Sequence, residues 1–338
     1  MNDRSVLEVR HGTLTIDGET IFYRQAGPEA APVLLLPHGY PCSSFQYRRL
    51  MPALADRWRT VAPDFPGFGY SGTPDPARFG YDFDAYAIFL ERFTDALELS
   101  SYALWLHDYG SQIGLRHAIA HPSRIRALII QNGDIYADAL GPKYGTIRRF
   151  WRDPSPANRA PLEQAVSEDG FRAEFVGEVD DDVARRVPPD LWKLHWPLMD
   201  TPVRRALSVG LMEKLKANLD WFPRYQAYLR EQRPPAMILW GPKDEYMPEP
   251  AARAYLRDLP EAELHLLNDA GHWLLETHFE VALPLVRRFL GGSCINRPHN
   301  TAADSAIAAP SSSRPIERSA LHDRQRHNRP DLAGKDTP

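Results

Sequence analysis

The residue of this chain best placed to do covalent chemistry is Asp108. Residues Leu104-Trp105-Leu106-His107-Asp108-Tyr109-Gly110 read as a buried strand that ends on an acid, with a helical pattern following. Helix-terminal N–H groups and the positive end of the helix dipole would keep such a carboxylate ionised. A carboxylate attacks saturated carbon well and carbonyl carbon poorly. The chemistry in view is therefore self-alkylation, by opening an epoxide or expelling a halide. The same position also suits a structural aspartate capping the helix. Asp108 taken alone does not separate the two readings.

Three further segments bear on that choice. Val33-Leu34-Leu35-Leu36-Pro37-His38-Gly39-Tyr40-Pro41 is a buried strand running into His-Gly-x-Pro, where glycine lets backbone approach a site. The amides of Tyr40 and Tyr109 are then candidates for an oxyanion hole. Met237-Ile238-Leu239-Trp240-Gly241-Pro242-Lys243-Asp244 places an acid just past a strand. Leu266-Leu267-Asn268-Asp269-Ala270-Gly271-His272-Trp273 places a histidine in the loop before the last helix. Nucleophile, acid and histidine thus come in the chain order of a hydrolase triad. In the reading this supports, His272 deprotonates water and Asp244 orients the imidazole. Glu245 and Asp134 are rivals to Asp244, with Asn132 near the second of them. Two serines compete with Asp108 on paper. Ser71, in Gly69-Tyr70-Ser71-Gly72-Thr73, lacks the final glycine of Gly-x-Ser-x-Gly and a preceding strand end, and Ser111 already lies inside the helix.

The elements that must hold these residues alternate. Strand patterns are predicted at Ser5–Val9, Thr13–Ile16, Thr20–Gln25, Val33–Leu36, Thr60–Ala62, Tyr102–Leu106, Ala127–Ile130, Met237–Trp240 and Glu263–Leu267, with an Asp17-Gly18 turn. Helical patterns fall at Ser44–Ala55, Asp84–Leu99, Tyr109–Ala120, Glu249–Leu259 and Leu275–Leu290. Short apolar runs alternating with helices imply an α/β fold with a mostly parallel sheet covered on both faces. The alternation stops between about Ile135 and Tyr228, which reads as helices without strands. The predicted organisation is a core from 1–134 and 229–291, a helical cap at 135–228, and a tail at 292–338 too poor in apolar residues to order.

His38–Pro41, Asp64–Ser71 (Asp-Phe-Pro-Gly-Phe-Gly-Tyr-Ser), His107–Gly110, Trp240–Asp244 and Gly271–His272 resemble the epoxide hydrolase and haloalkane dehalogenase branch of the α/β-hydrolases. The resemblance covers about residues 20–291. It implies an eight-stranded core, a helical cap, and a two-step ester mechanism that uses no cofactor. The chain also departs from that branch. Dehalogenases of the branch usually carry tryptophan directly after the nucleophile, and its haloacetate dehalogenases carry arginine; here the residue is Tyr109. The branch's late-cap tyrosine for ring opening has no counterpart in Leu211–Lys216. Tyr144, Tyr225 and Trp151 are the candidates for assisting the leaving group. Epoxide hydrolysis leads, with dehalogenation as the alternative and a non-catalytic ligand-binding protein as the reading from another class.

Composition agrees with an ordinary globular protein. The 338 residues are 43% hydrophobic and 25% charged, with a formal charge of −4 that gives no footprint for nucleic acid or an anionic membrane. Two cysteines, with no Cys-x-x-Cys pair, argue against a disulfide framework or a zinc site. The N-terminus has no apolar core region, so a cytoplasmic location is the expectation. The expected partners are a small apolar or amphipathic organic substrate and water.

Overall fold

The computed structural model describes residues 8–292. Within them one eight-stranded sheet runs in the order β1 (Arg10–Ile16), β2 (Glu19–Ala26), β4 (Arg59–Pro63), β3 (Val33–Leu35), β5 (Tyr102–His107), β6 (Ile125–Gln131), β7 (Ala236–Trp240), β8 (Glu263–Leu266). β2 pairs antiparallel with β1 and with β4, and every pairing from β4 to β8 is parallel. The helices outside the β6–β7 connection are α1 (Leu50–Leu54), α2 (Phe83–Ala96), α3 (Tyr109–Ala120), α11 (Glu249–Ala254), α12 (Leu274–Thr277) and α13 (Phe279–Leu290).

The apolar runs are continuous because both faces of the sheet are covered. Alternate residues of one strand enter different cores. Leu104, Leu106, Leu128, Ile130 and Ile238 pack with Phe83, Phe93 and Ile113 of α2 and α3. Ala103, Trp105, Ile129, Met237 and Leu239 pack with Leu50 of α1 and Val286 and Phe289 of α13. Leu104 is fully buried at the centre of this arrangement. Leu104→Ala is expected to cost about 2–5 kcal/mol of stability through lost contacts and a cavity. Denaturant unfolding would show this as a lower midpoint at constant m; an unchanged midpoint would contradict the placement.

Several boundaries differ from expectation for local reasons. β1 is one strand from Arg10, whereas Glu8 and Val9 lie outside any strand and residues 5–7 are outside the described residues. His11 and Gly12 fall between two predicted strands, yet Gly12 pairs with Tyr23, and a Cβ there would lie 2.6 Å from the Tyr23 ring. The glycine is inside the strand because the ring needs its space. The Asp17-Gly18 turn is present, with positive φ at both residues, as a tight hairpin requires. The first helical pattern becomes a 3₁₀ turn at Ser44–Tyr47 and the short α1. The last one is broken at His278, between α12 and α13. The expectation for the 292–338 tail lies outside the described residues beyond Gly292.

Between β6 and β7 the chain makes α4 (Tyr144–Arg152), α5 (Pro156–Ala165), α6 (Glu168–Val176), α7 (Asp181–Ala184), α8 (Asp190–Met199), α9 (Pro202–Asn218) and α10 (Phe222–Gln232), and no strand. Helix therefore continues past Tyr228 to Gln232. Polar contacts tie this insertion to loops of the sheet domain. Arg204 of α9 donates to the carbonyls of Gly69 (2.9 Å) and Ser71 (2.7 Å) and to the Thr73 hydroxyl (2.9 Å). His195 of α8 meets the Ser43 hydroxyl at 3.2 Å. No helix among the described residues is long and apolar enough to cross a membrane.

Candidate active site

Asp108 stands between β5 and α3 with φ 51° and ψ −131°, a region that non-glycine residues rarely occupy. Its side chain makes no capping hydrogen bond to α3, so the capping role is not what holds it there. Instead the Tyr40 amide donates to Asp108 Oδ1 at 2.6 Å, and the neighbouring Tyr109 N–H adds a downward pull on the pKa of the carboxyl. The turn is possible only with glycine on both sides. A Cβ on Gly39 would lie 2.7 Å from the Asp108 Cβ, and one on Gly110 would lie 2.5 Å from the Pro37 carbonyl oxygen. Strain at such a turn exposes the side chain and aims it away from its own helix.

The predicted partners converge on it. His272 Nε2 lies 3.6 Å from Asp108 Oδ2, and His272 Nδ1 lies 2.7 Å from Asp244 Oδ2. His272 Nε2 has no hydrogen-bond partner among the described residues and so faces Asp108 with its donor–acceptor capacity unused. Asp244 is fully committed. Asn132 Nδ2 donates to its Oδ2 at 2.9 Å, and the Tyr246 and Met247 amides donate to its Oδ1 at 2.8 and 2.9 Å. Gly241 brings the Asp244 and His272 loops together, since a Cβ there would lie 2.0 Å from the Gly271 carbonyl oxygen.

The rivals are placed elsewhere. Glu245 is exposed. Asp134 accepts from Gln112 Nε2 at 2.6 Å and from the Tyr144 hydroxyl at 2.5 Å. Ser71 donates to the Asp64 carbonyl, and Ser111 to the Asp108 carbonyl, so neither hydroxyl is offered to a substrate. His38 is not an acid or base of the site. Burial lowers its pKa to about 4, and the neutral ring meets the Gly39 carbonyl through Nδ1 and accepts from the Phe65 amide through Nε2. It thereby braces the peptide that aims the Tyr40 N–H. The Tyr40–Pro41 bond is cis.

Charge is distributed unevenly over the three central groups. Burial raises the Asp108 carboxyl to about 6, against the downward pull of His272 and the two amides. Burial also raises Asp244, but His272 and its hydrogen bonds outweigh that and hold it below the ordinary carboxylate range. Burial lowers His272, yet Asp244 and Asp108 prevail and lift it to about 10. At neutral pH the resting state is an imidazolium between two carboxylates.

Other residues of the site carry no signal in the sequence. Gly39 N–H donates to Gln46 Oε1 at 3.1 Å, Gln46 Nε2 meets His107 Nδ1 at 2.7 Å, and His107 Nε2 meets the His272 carbonyl at 3.2 Å. Burial keeps His107 neutral, so this chain of neutral bonds links the Tyr40 loop to the His272 loop. From the insertion come Lys143, Glu174 and Glu178. Lys143 Nζ lies 2.8 Å from Glu178 Oε1 and 3.3 Å from Glu174 Oε2.

A cavity of about 50 Å³ lies over Asp108. Its polar lining is Asp108, Glu174 and the tyrosines Tyr40, Tyr109, Tyr144 and Tyr246. Of the leaving-group candidates only Tyr144 lines it, and its hydroxyl donates to Asp134. Tyr225 is buried against α3 and donates to the Gln112 carbonyl, and the Trp151 indole points at the Met212 carbonyl. Both are packing residues, because their polar ends are used within the fold. Tyr246, just after Asp244, was not singled out by sequence reasoning although it lines the cavity.

Residues 32–279 match the model of the alpha/beta hydrolase fold family. An uncharacterised hydrolase of Saccharomyces cerevisiae is 31% identical over 265 residues, which cover 78% of this chain and 90% of the yeast protein. Haloalkane dehalogenase 2 of Mycobacterium bovis is 29% identical over 266 residues, covering 76% of this chain and 88% of that protein. Among solved structures, epoxide hydrolase CorEH superposes with a TM-score of 0.67 at 20% identity, over 84% of this chain and 99% of that one.

Proposed function

Because the chain belongs to the alpha/beta hydrolase fold family, we propose that it is a cofactor-independent hydrolase that forms an alkyl ester on Asp108, and that its substrate is an epoxide. The observation that carries the choice of substrate is the lining of the cavity over Asp108. It includes the phenols Tyr40, Tyr109 and Tyr246, the Tyr40 hydroxyl having no hydrogen-bond partner among the described residues, and neither an indole nor a side-chain amide. A ring-opened epoxide leaves as an alkoxide and needs a proton, which a phenol can give. A halide needs N–H donors and no nearby negative charge, whereas Glu174 lines this cavity.

The geometry supports the following steps. Asp108 Oδ2 attacks the less hindered ring carbon while Oδ1 stays on the Tyr40 amide. The C–O bond of the ring breaks and a cavity phenol protonates the alkoxide. Alkylation removes one of the two carboxylate charges facing His272, so its proton affinity falls and it can recharge the phenol. The neutral imidazole then takes a proton from water as the water attacks the Asp108 carbonyl carbon. The Tyr40 and Tyr109 amides hold the oxyanion, a role in which one donor is typically worth about 3–4 kcal/mol. Collapse releases the diol and restores the carboxylate and imidazolium. The insertion α4–α10 acts as the cap that closes this cavity.

Haloalkane dehalogenation by the same steps is the second reading, supported by the 29% identical mycobacterial dehalogenase. A panel of epoxides and haloalkanes scored for diol and for halide separates them. Diol without halide is the expected result; halide alone would overturn the substrate assignment. A pH profile gives an independent check. Protonated Asp108 cannot attack, and its pKa is about 6. kcat/KM is therefore expected to fall with a single-proton limb as pH drops through about 6. A profile flat to well below pH 5 would contradict it.

A further inference from the structure

The cavity over Asp108 is bounded by charge on the side of the insertion. Glu174 of α6 lines it directly, and Glu178 lies behind, its Oε2 3.7 Å from where a Cβ on Gly271 would stand. That oxygen is buried with no hydrogen-bond partner among the described residues, on a side chain 4% exposed. Lys143 is the cation shared by the two glutamates, and His272 is shared by Asp108 and Asp244. Burial and the neighbouring acids raise the Glu178 carboxyl to about 7, yet Asp108, Asp244 and Glu174 by themselves outnumber the two cations that pair with them. Glu174 acts electrostatically on Asp108, His272, Tyr40, Tyr109 and Tyr246. The lining contains no arginine, lysine or histidine.

We propose that Glu174 reads the charge of the substrate, so that the site takes small electrophiles carrying an ammonium group and rejects carboxylates, haloacids included. An ammonium entering the cavity finds a carboxylate oxygen that Lys143 only partly neutralises. A substrate carboxylate finds Glu174 at close range in a desolvated space, with no unpaired cation to receive it. The identity of the electrophile rests on the epoxide reading above, but the charge selection does not.

Binding of unreactive probes tests it. Isobutylammonium and isobutyrate share a branched four-carbon skeleton and carry opposite charge, and calorimetry on the full chain gives the ratio of their affinities. The wild type is expected to bind the ammonium about tenfold or more tighter. Glu174→Gln should bring the ratio to within about threefold, while Lys143→Met, which leaves both glutamates uncompensated, should widen it. Opposite movements in two variants distinguish charge reading from a damaged fold. Isobutyrate binding as tightly as the ammonium, a ratio unmoved by Glu174→Gln, or no ammonium binding at all would each overturn the proposal. Kinetics with glycidyltrimethylammonium, glycidol and glycidate separates the two claims. Ammonium preference in binding with no turnover of any epoxide sinks the reaction and leaves charge selection standing. Turnover of glycidate as fast as of the cation sinks charge selection alone.

Discussion

Asp108→Ala is expected to lower kcat by about 10⁴-fold or more while leaving the protein as stable as the wild type or more so. The loss follows from chemistry: without the carboxylate held on the Tyr40 amide and facing His272 no ester forms there, and Ser71 and Ser111 spend their hydroxyls on backbone carbonyls. The stability expectation follows from electrostatics. Burial opposes the charged form of Asp108 and raises its pKa to about 6, so the fold does not gain from holding that carboxylate ionised. Removing a group that is placed for function at a cost in stability commonly stabilises. Steady-state assays and thermal unfolding measured on the same preparation check both halves. Turnover retained in the alanine variant would refute the nucleophile, and retained ligand affinity with no turnover in either form would mark a binding protein.

His272→Gln is expected to remove multiple turnover, by about 10⁴-fold in kcat, while still consuming one equivalent of substrate. Glutamine cannot take the proton of water, so the second step stalls. The first step needs only the Asp108 carboxylate and a phenol, and both remain. Loss of the imidazolium also removes a downward pull on the Asp108 pKa, so alkylation in this variant should shift its acid limb to higher pH. Rapid mixing would show a stoichiometric burst of substrate loss without diol. Continuing diol release would mean that His272 is not the base.

The strand-to-helix elbow at Asp108, the acid after β7 and the histidine after β8 were all legible, because each sits where periodicity changes and glycine punctuates. The helix after the elbow was placed at Tyr109–Ala120, as observed. What the sequence hid depends on facing. Gln46 and His107 act only because a 3₁₀ turn and a strand end meet in space. Glu174 of α6 and Glu178 just after it look like any acids of the insertion, and nothing local says that they lie near His272. For the same reason Tyr225 and Trp151 could not be told from residues that reach the cavity. Asn132 lies near the rival acid Asp134 in the sequence, and in the structure it braces Asp244 by a hydrogen bond. Gly12 falls between two predicted strands, and its reason for being glycine, the Tyr23 ring, lies on the neighbouring strand.

The most direct test of covalent hydrolysis through Asp108 is the intact mass of His272→Gln after exposure to an epoxide that the wild type turns over. The mass should rise by that of one substrate molecule, with the added group on the peptide containing Asp108, and Asp108→Ala/His272→Gln should show no gain. An unmodified His272→Gln protein that has stopped turning over, or a label that survives in the double variant, would contradict the ester on Asp108.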